Sequence, residues 1–428
     1  MVVIYGKTVM SNGGSDNRGG ITMDSLITAA AHALAAGDPL GALNRVALRD
    51  DAPALALRGI AMAQLGEFER AKVLVRSAAR AFGSKAPVAR ARCIVAEAEV
   101  ALASRELSWS ATRLDAARAM LEARGDRVNG AHARYLDIRR LLLIGQIDEA
   151  ETRLAEIDPM PLPPALKTTH HLIVAGIAMR RLQTKAARAA LEQAERAAHE
   201  AGIAALAAEV TSAFDLLNLP AARLIANDAE RVLLLEEVEA LLNSNTFVVD
   251  ACRHVVRQKN EAITLATRPV LFMLVRALAE AWPEDASRDE LVARAFRARH
   301  ADESHRGRLR VEIGRLRRLL RSLAEINATP RGFALTLHHA HELVVLAWPV
   351  EEKHADVLAL LADGESWSSS ALAIALDTSQ RTVQRALDSL AAARKVQSFG
   401  RGRARRWTMP LVPRFTTVLL LPASLPVD

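Results

Sequence analysis

The sequence predicts a mainly α protein, in which a long run of helical hairpins is followed by two small α+β modules. Three observations predict it. Aromatic residues make up only 4% of the 428 residues, while alanine, leucine and arginine abound, a composition that favours helix over sheet. From Ile21 to about residue 244 the apolar spacing is almost continuously helical, with breaks at Gly37-Asp38-Pro39, Gly83, Gly125, Asp158-Pro159 and Asn218-Leu219-Pro220. At Thr246 the texture changes to short β-branched runs split by polar turns.

Charge follows the same division. Residues 1–245 hold 29 Lys+Arg against 29 Asp+Glu, and residues 246–428 hold 27 against 20, so the whole surplus of +7 lies in the second part. A neutral part joined to a basic part implies different partners for each. Residues 1–21, rich in Gly, Ser and Asn, read as a disordered tail without a signal-peptide core. No stretch approaches the roughly 18 apolar residues of a membrane span, so no membrane partner is expected. Cys93 and Cys252 are the only cysteines; with neither a disulfide framework nor zinc-ligand spacing, a reducing cytoplasm is the default expectation.

Residues 22–244 are read as a repeat array. Leu57 to Ala81 runs LRGIAMAQLGEFERAKVLVRSAARA, with Gly59 where two helices cross closely, Gly66 ending the first helix, Phe68 and Ala71 opening the second, and Ala78 small at the packing face. Ile138 to Ile157 repeats the pattern, Gly145, Ile147 and Ala150 standing for Gly66, Phe68 and Ala71. Residues 176–179 reprise GIAM, but the turn glycine is lost at Gln183. This resembles the tetratricopeptide unit of about 34 residues. Such hairpins stack and leave a concave surface suited to a peptide, another subunit or a small ligand. Trp109, Tyr135, His170 and His171 are candidate lining residues, weighed against the ordinary reading that they serve the core or surface.

Residues 245–338 form the first module. Thr246 to Asp250, His254 to Arg257 and Ala262 to Leu265 read as strands, with a turn at Lys259-Asn260-Glu261. Thr267 is the expected cap of the next helix and Pro269 its first turn; Leu271, Leu274, Val275 and Leu278 form the buried face. Ser287-Arg288-Asp289-Glu290 is a capping box opening DELVARAF. Ser304 to Leu323 then reads SHRGRLRVEIGRLRRLLRSL, whose Leu309, Ile313, Leu316, Leu320 and Leu323 make one apolar stripe. Arg308, Arg315 and Arg318 lie opposite it, with Arg310, Arg317 and Arg321 on the flanks. A hairpin from Ile326 to Leu337 turns at Pro330-Arg331-Gly332.

The leading strands with Asp250, DELVARAF, IGRLRRLL and T-x-R-G-F-A-L resemble the winged-helix effector domain of OmpR/PhoB-type response regulators. The resemblance implies a third helix in the DNA major groove and a wing in the adjacent minor groove. Carried over by position, Arg308, Arg310, Arg315 and Arg318 face DNA and Arg331 sits on the wing. Two departures stand out. The loop Arg299 to His305 is short where the family touches polymerase, and a helical array replaces the phosphoacceptor domain, so phosphorylation control is not implied.

Residues 350–409 form the second module. Glu351 to Leu361 reads as a helix ended by Asp363-Gly364, followed by two helices joined at Asp377-Thr378. Ser379 caps the last of them, leaving Gln380, Arg381, Gln384 and Arg385 on its outer face. A glycine-hinged hairpin, SFGRGRARRWT, carries Arg401, Arg403, Arg405 and Arg406. This resembles the compact winged helices of DeoR- and MarR-type regulators. The connector 337–350 holds His338, His339 and His341 without a cysteine or carboxylate cluster, so no metal site is predicted there. The tail 410–428 contains an apolar run, Phe415 to Leu421, expected to pack back as a strand.

No Walker loop, dinucleotide fingerprint, zinc-protease motif or nucleophile elbow is found. The expectation is therefore no enzyme, no catalytic residue and no cofactor. The function expected is a bacterial DNA-binding transcription regulator with double-stranded DNA as partner. Its array would meet RNA polymerase, another protein or a second copy of the chain. The competing expectation is an interaction adaptor whose winged helices no longer bind DNA.

Overall fold

The computed structural model describes residues 25–35, 37–107, 109–226, 229–296, 302–349, 354–361, 366–400, 402 and 405–409. The tails expected at 1–21 and 410–428 lie outside them. The fold is mainly helical and divides into two units, one of Met1–Arg181, Lys185–Phe214 and Asp356–Asp428, the other of Leu182–Thr184 and Asp215–Ala355.

The first unit opens with α1 Ser25–Ala35, α2 Pro39–Val46, α3 Ala52–Gln64, α4 Phe68–Phe82, α5 Pro87–Ala103 and α6 Ala111–Ala123. It continues through α7 Arg127–Leu143, α8 Ile147–Ala155, α9 Pro164–Arg180, α10 Thr184–Ala201 and α11 Ala204–Leu217. Helix starts follow side-chain chemistry: Asp38, Asp51, Ser110 and Asp126 accept the N–H groups of Gly41, Ala54, Arg113 and Asn129, which the first turn leaves without partners. The predicted breaks fall at helix boundaries, with Pro39 opening α2 and Asn218-Leu219-Pro220 following α11. Gly59 is small for the reason expected, since a Cβ there would meet Val75 Cγ2 at 2.5 Å.

Left-handed Gly66, Arg105, Gly145 and Leu182, spaced 37 to 40 residues apart, follow α3, α5, α7 and α9, as Gly37, Gly83, Gly125 and Gly202 follow α1, α4, α6 and α10. In the copy without a glycine, Leu182 (φ 56°) takes the turn position, one residue before Gln183.

The second unit departs from the expected boundaries at both ends. Residues 222–233, expected to be helical, form the hairpin β1 Ala222–Ala226 and β2 Ala229–Leu233, followed by α12 Leu235–Asn243. The expected strands appear as β3 Phe247–Asp250, β4 Val255–Gln258 and β5 Glu261–Thr264. Then come α13 Pro269–Glu280, β6 Ala286–Ser287, α14 Arg288–Phe296, α15 Glu303–Leu320, β7 Ala324–Ala328 and β8 Gly332–Leu337. The connector expected at 337–350 instead carries a fully buried strand, β9 Leu343–Ala347. It pairs parallel to β3, with Val248 opposite Val344, and antiparallel to β1, with Leu224 opposite Leu346.

The six-stranded sheet has the order β2-β1-β9-β3-β4-β5, and a second sheet has the order β6-β8-β7. The large sheet is covered on two faces at its centre. Phe247, Val249 and Val345 join the cluster of α13 and α15, whereas Val248, Val344 and Leu346 pack with Val238 and Leu242 of α12. Double coverage explains why β9 reads as an unbroken apolar run.

The C-terminal elements, α16 Ala355–Leu361, α17 Ser369–Ala375, α18 Gln380–Ala392, β10 Gln397–Phe399 and β11 Arg406–Thr408, belong to the first unit. Trp367 and Trp407 are fully buried there, exchange backbone hydrogen bonds of 2.8 Å, and share a hydrophobic cluster with Leu102 and Leu107 of the array. Arg105 lies over the Trp367 ring at 5.7 Å.

Candidate nucleic-acid interface

The first candidate surface is built on α15. Asp302 starts the helix by accepting the His305 N–H at 2.8 Å. Leu309, Ile313, Leu316 and Leu320 are all buried, which fixes the roll of the helix and turns its other side to solvent. Arg308, Arg310, Arg315 and Arg318 are exposed on that side. Arg331 is exposed at the β7–β8 turn, 3.6 Å from Asp285. Each predicted residue of this module therefore reaches solvent, but their freedom differs. Arg315 pairs with Glu312 at 2.9 Å, and Arg310 lies 3.9 Å from Glu303. Arg308 rests over the Phe296 ring at 4.6 Å, and Arg318 has no ion pair among the described residues.

The flanking Arg317 has a structural task. It donates to the Ile326 carbonyl at 2.7 Å and covers Phe333, tying the helix to the hairpin.

Two contributors were missed. Arg288 donates to the Pro330 and Thr329 carbonyls at 2.8 and 3.0 Å, holding the turn that carries Arg331. Arg268 precedes α13 and, with Arg315, Arg318, Glu312 and Leu319, lines an open groove of about 570 Å³. Thr267 is not the cap of α13; Arg268 occupies that position and makes no side-chain cap bond. Pro269 lacks an N–H, and the next amides have no partner within the helix. A cation at the positive end of a helix is electrostatically misplaced unless an anion joins it. That misplacement, an arginine just before Pro269, was the signal available in the sequence.

The second surface is built on α18. Ser379 accepts the Thr382 N–H, and Val383, Ala386, Leu387 and Leu390 are buried. Asp377 adopts φ 48° between α17 and α18, the left-handed conformation its side chain tolerates. Gln380, Arg381, Gln384 and Arg385 are exposed. Arg381 and Arg385 have no ion pair among the described residues, whereas Gln380 donates to Ser369 Oγ at 3.0 Å. In the hairpin Arg405 stacks 4.3 Å from the Trp407 ring centre and reaches Ser398 Oγ at 3.2 Å. Arg401 and Arg403 lie outside the described residues. Arg406 lies 3.8 Å from Glu69 of α4.

Other candidates resolve differently. Tyr135 is buried in the core with its hydroxyl 3.2 Å from Nδ1 of the half-buried His170. Trp109 does line a cleft. Among the described residues no cluster of His, Cys, Asp or Glu suits a metal ion, and no helix is long and apolar enough to cross a membrane. Compared with family models, curated proteins and solved structures, the chain matches none.

Proposed function

We propose that this chain is a DNA-binding transcription regulator, in which two winged helix-turn-helix modules meet duplex DNA and a tetratricopeptide-like array serves sensing or protein contact. The observation that carries the reading is α15: its leucine face is wholly buried while Arg308, Arg315 and Arg318 stand exposed, beside a hairpin tipped by Arg331. A guanidinium can bond a guanine edge or a phosphate with two parallel hydrogen bonds, which an ammonium cannot. In this reading α15 lies in the major groove and Arg331 in the neighbouring minor groove. A backbone phosphate occupies the groove of Arg268, Arg315 and Arg318, where the free amides of α13 add to the arginine charge. The exposed Arg381, Gln384 and Arg385 supply a second reading surface on α18. A cytoplasmic location goes with this role.

The test is selection of genomic fragments by the full chain, followed by affinity measurement at several salt concentrations. The expected result is an enriched shared motif and a steep linear fall of log K with log salt. Absent or salt-insensitive binding overturns the reading.

A second reading, the interaction adaptor, draws on one specific observation. The C-terminal module shares its core with the array, and Arg406 of its hairpin lies against Glu69 of α4. On this reading α16 to β11 complete a protein-binding surface. Fragments selected equally well after Arg381 and Arg385 become alanine would favour it for that module.

A further inference from the structure

The array contains a cleft of unusual charge. Its mouth, about 420 Å³, is lined by Arg76 and Arg80 of α4, Arg90 of α5 and Arg113 of α6, with Ala79 and Gly83 between them. Four guanidinium groups drawn from three helices into one groove repel one another. Glu97 offsets them most directly, accepting from Arg76 Nε at 2.6 Å and lying 3.1 Å from Arg113 Nη2, and Glu106 adds to the field at Arg76. Arg80 reaches only Ser77 Oγ, at 3.0 Å, and Arg90 has no ion pair among the described residues.

Arg76 and Arg113 also border an inner compartment of about 220 Å³, walled by Ile94, Ala98, Leu114 and Trp109. Trp109 Nε1 is buried there with no acceptor among the described residues. Leaving a buried donor unpaired is unfavourable, so this indole N–H favours an acceptor brought by a ligand. The second carboxylate of this compartment, Glu106, is already held by Lys72 at 2.6 Å.

We propose that this cleft binds a small organic polyanion, its charged groups between Arg80, Arg90, Arg76 and Arg113 and its uncharged body against Trp109. The charge count selects the class. Four arginines facing Glu97, with Glu106 shared between Arg76 and Lys72, keep a positive surplus that suits an anion of two or more charges, and forked guanidinium donors suit phosphoryl and carboxylate oxygens alike. The combined size falls in the range of small-molecule sites. The site is built from α4, α5 and α6, and its existence does not depend on DNA binding.

Calorimetric titration of the full chain with inorganic pyrophosphate and, separately, with citrate, at fixed ionic strength and without DNA, tests the proposal. At least one of the two is expected to bind saturably at one site per chain, and which one binds tells a phosphoryl from a carboxylate ligand. Arg80→Gln with Arg90→Gln, both exposed and remote from the core, should weaken that binding at least tenfold. Arg188→Gln with Arg196→Gln, exposed on α10, should leave it unchanged. Saturation by neither anion up to millimolar concentration overturns the site. Equal weakening by both double variants does so too, because it would mark general attraction to a basic surface.

Discussion

Arg406 Nη2 of the C-terminal hairpin lies 3.8 Å from Glu69 Oε1 on α4, although 337 positions separate the two in the chain. The contact marks where the last module joins the array. The ion pair is the lesser part of that join, since Glu69 is 68% exposed and such pairs contribute roughly 0–1 kcal/mol. The greater part is burial of Trp367 and Trp407.

Truncating Trp367 to alanine should therefore destabilise the first unit by about 3–5 kcal/mol. Glu69→Gln should cost less than about 1 kcal/mol. Urea denaturation followed by circular dichroism measures both, and similar losses for the two variants would show that the tryptophan does not anchor the module.

Replacing Arg315 and Arg318 together by alanine should leave the helical signal intact, because both side chains are exposed. DNA affinity should drop sharply. The slope of log K against log salt should become shallower by about 2, near 1 for each lost phosphate contact, or change less where an arginine reads a base. Fluorescence anisotropy on one selected fragment gives both quantities.

Arg268→Gln separates positioning from reading. If Arg268 clamps a phosphate beside the start of α13, affinity falls by a similar factor on selected and on unrelated duplexes. A loss confined to the selected motif would instead make it a base-reading residue.

Stability should fall on mild acidification. Burial, with the neighbouring His171 charge, pushes His170 down to about 4, whereas an unfolded histidine titrates near 6.5. The unfolded chain thus binds the proton first, and stability present above pH 6.5 is lost as pH falls towards 4. His171 shifts in the same direction through burial and the charges of Arg196 and Lys167. In His170→Gln, the drop in urea midpoint between pH 7 and pH 5 should shrink; an unchanged drop would assign it elsewhere.

Gly59→Ala should lose about 1–3 kcal/mol through overpacking at the α3–α4 crossing, where the new methyl meets Val75. Gly37→Ala, with open space around its Cβ position but φ 77°, should cost only its backbone strain, about 1–2 kcal/mol. Thermal melts rank the two.

What could be read from the chain directly was whatever neighbouring residues settle among themselves. The leucine stripe of α15, the serine caps at Ser287 and Ser379, the left-handed Asp377 and the helix breaks at Gly66, Gly125 and Gly145 each depend on residues within a turn or two. The exposed arginines of α15 and α18 follow from the same periodicity, since a buried stripe leaves the opposite side in solvent.

Long-range pairing was not legible. Val248 meets Val344 across nearly a hundred residues, and β9, buried on both faces, shows no alternation that would announce a strand. The hairpin β1–β2, read as helix, owes its place in the large sheet to β9. The placement of the C-terminal tryptophans against Leu102 and Leu107, and the convergence of Arg268 with Arg315 or of Arg80 with Arg90, have the same origin. Such contacts arise when distant apolar surfaces leave water together, and no local pattern records which surfaces those will be.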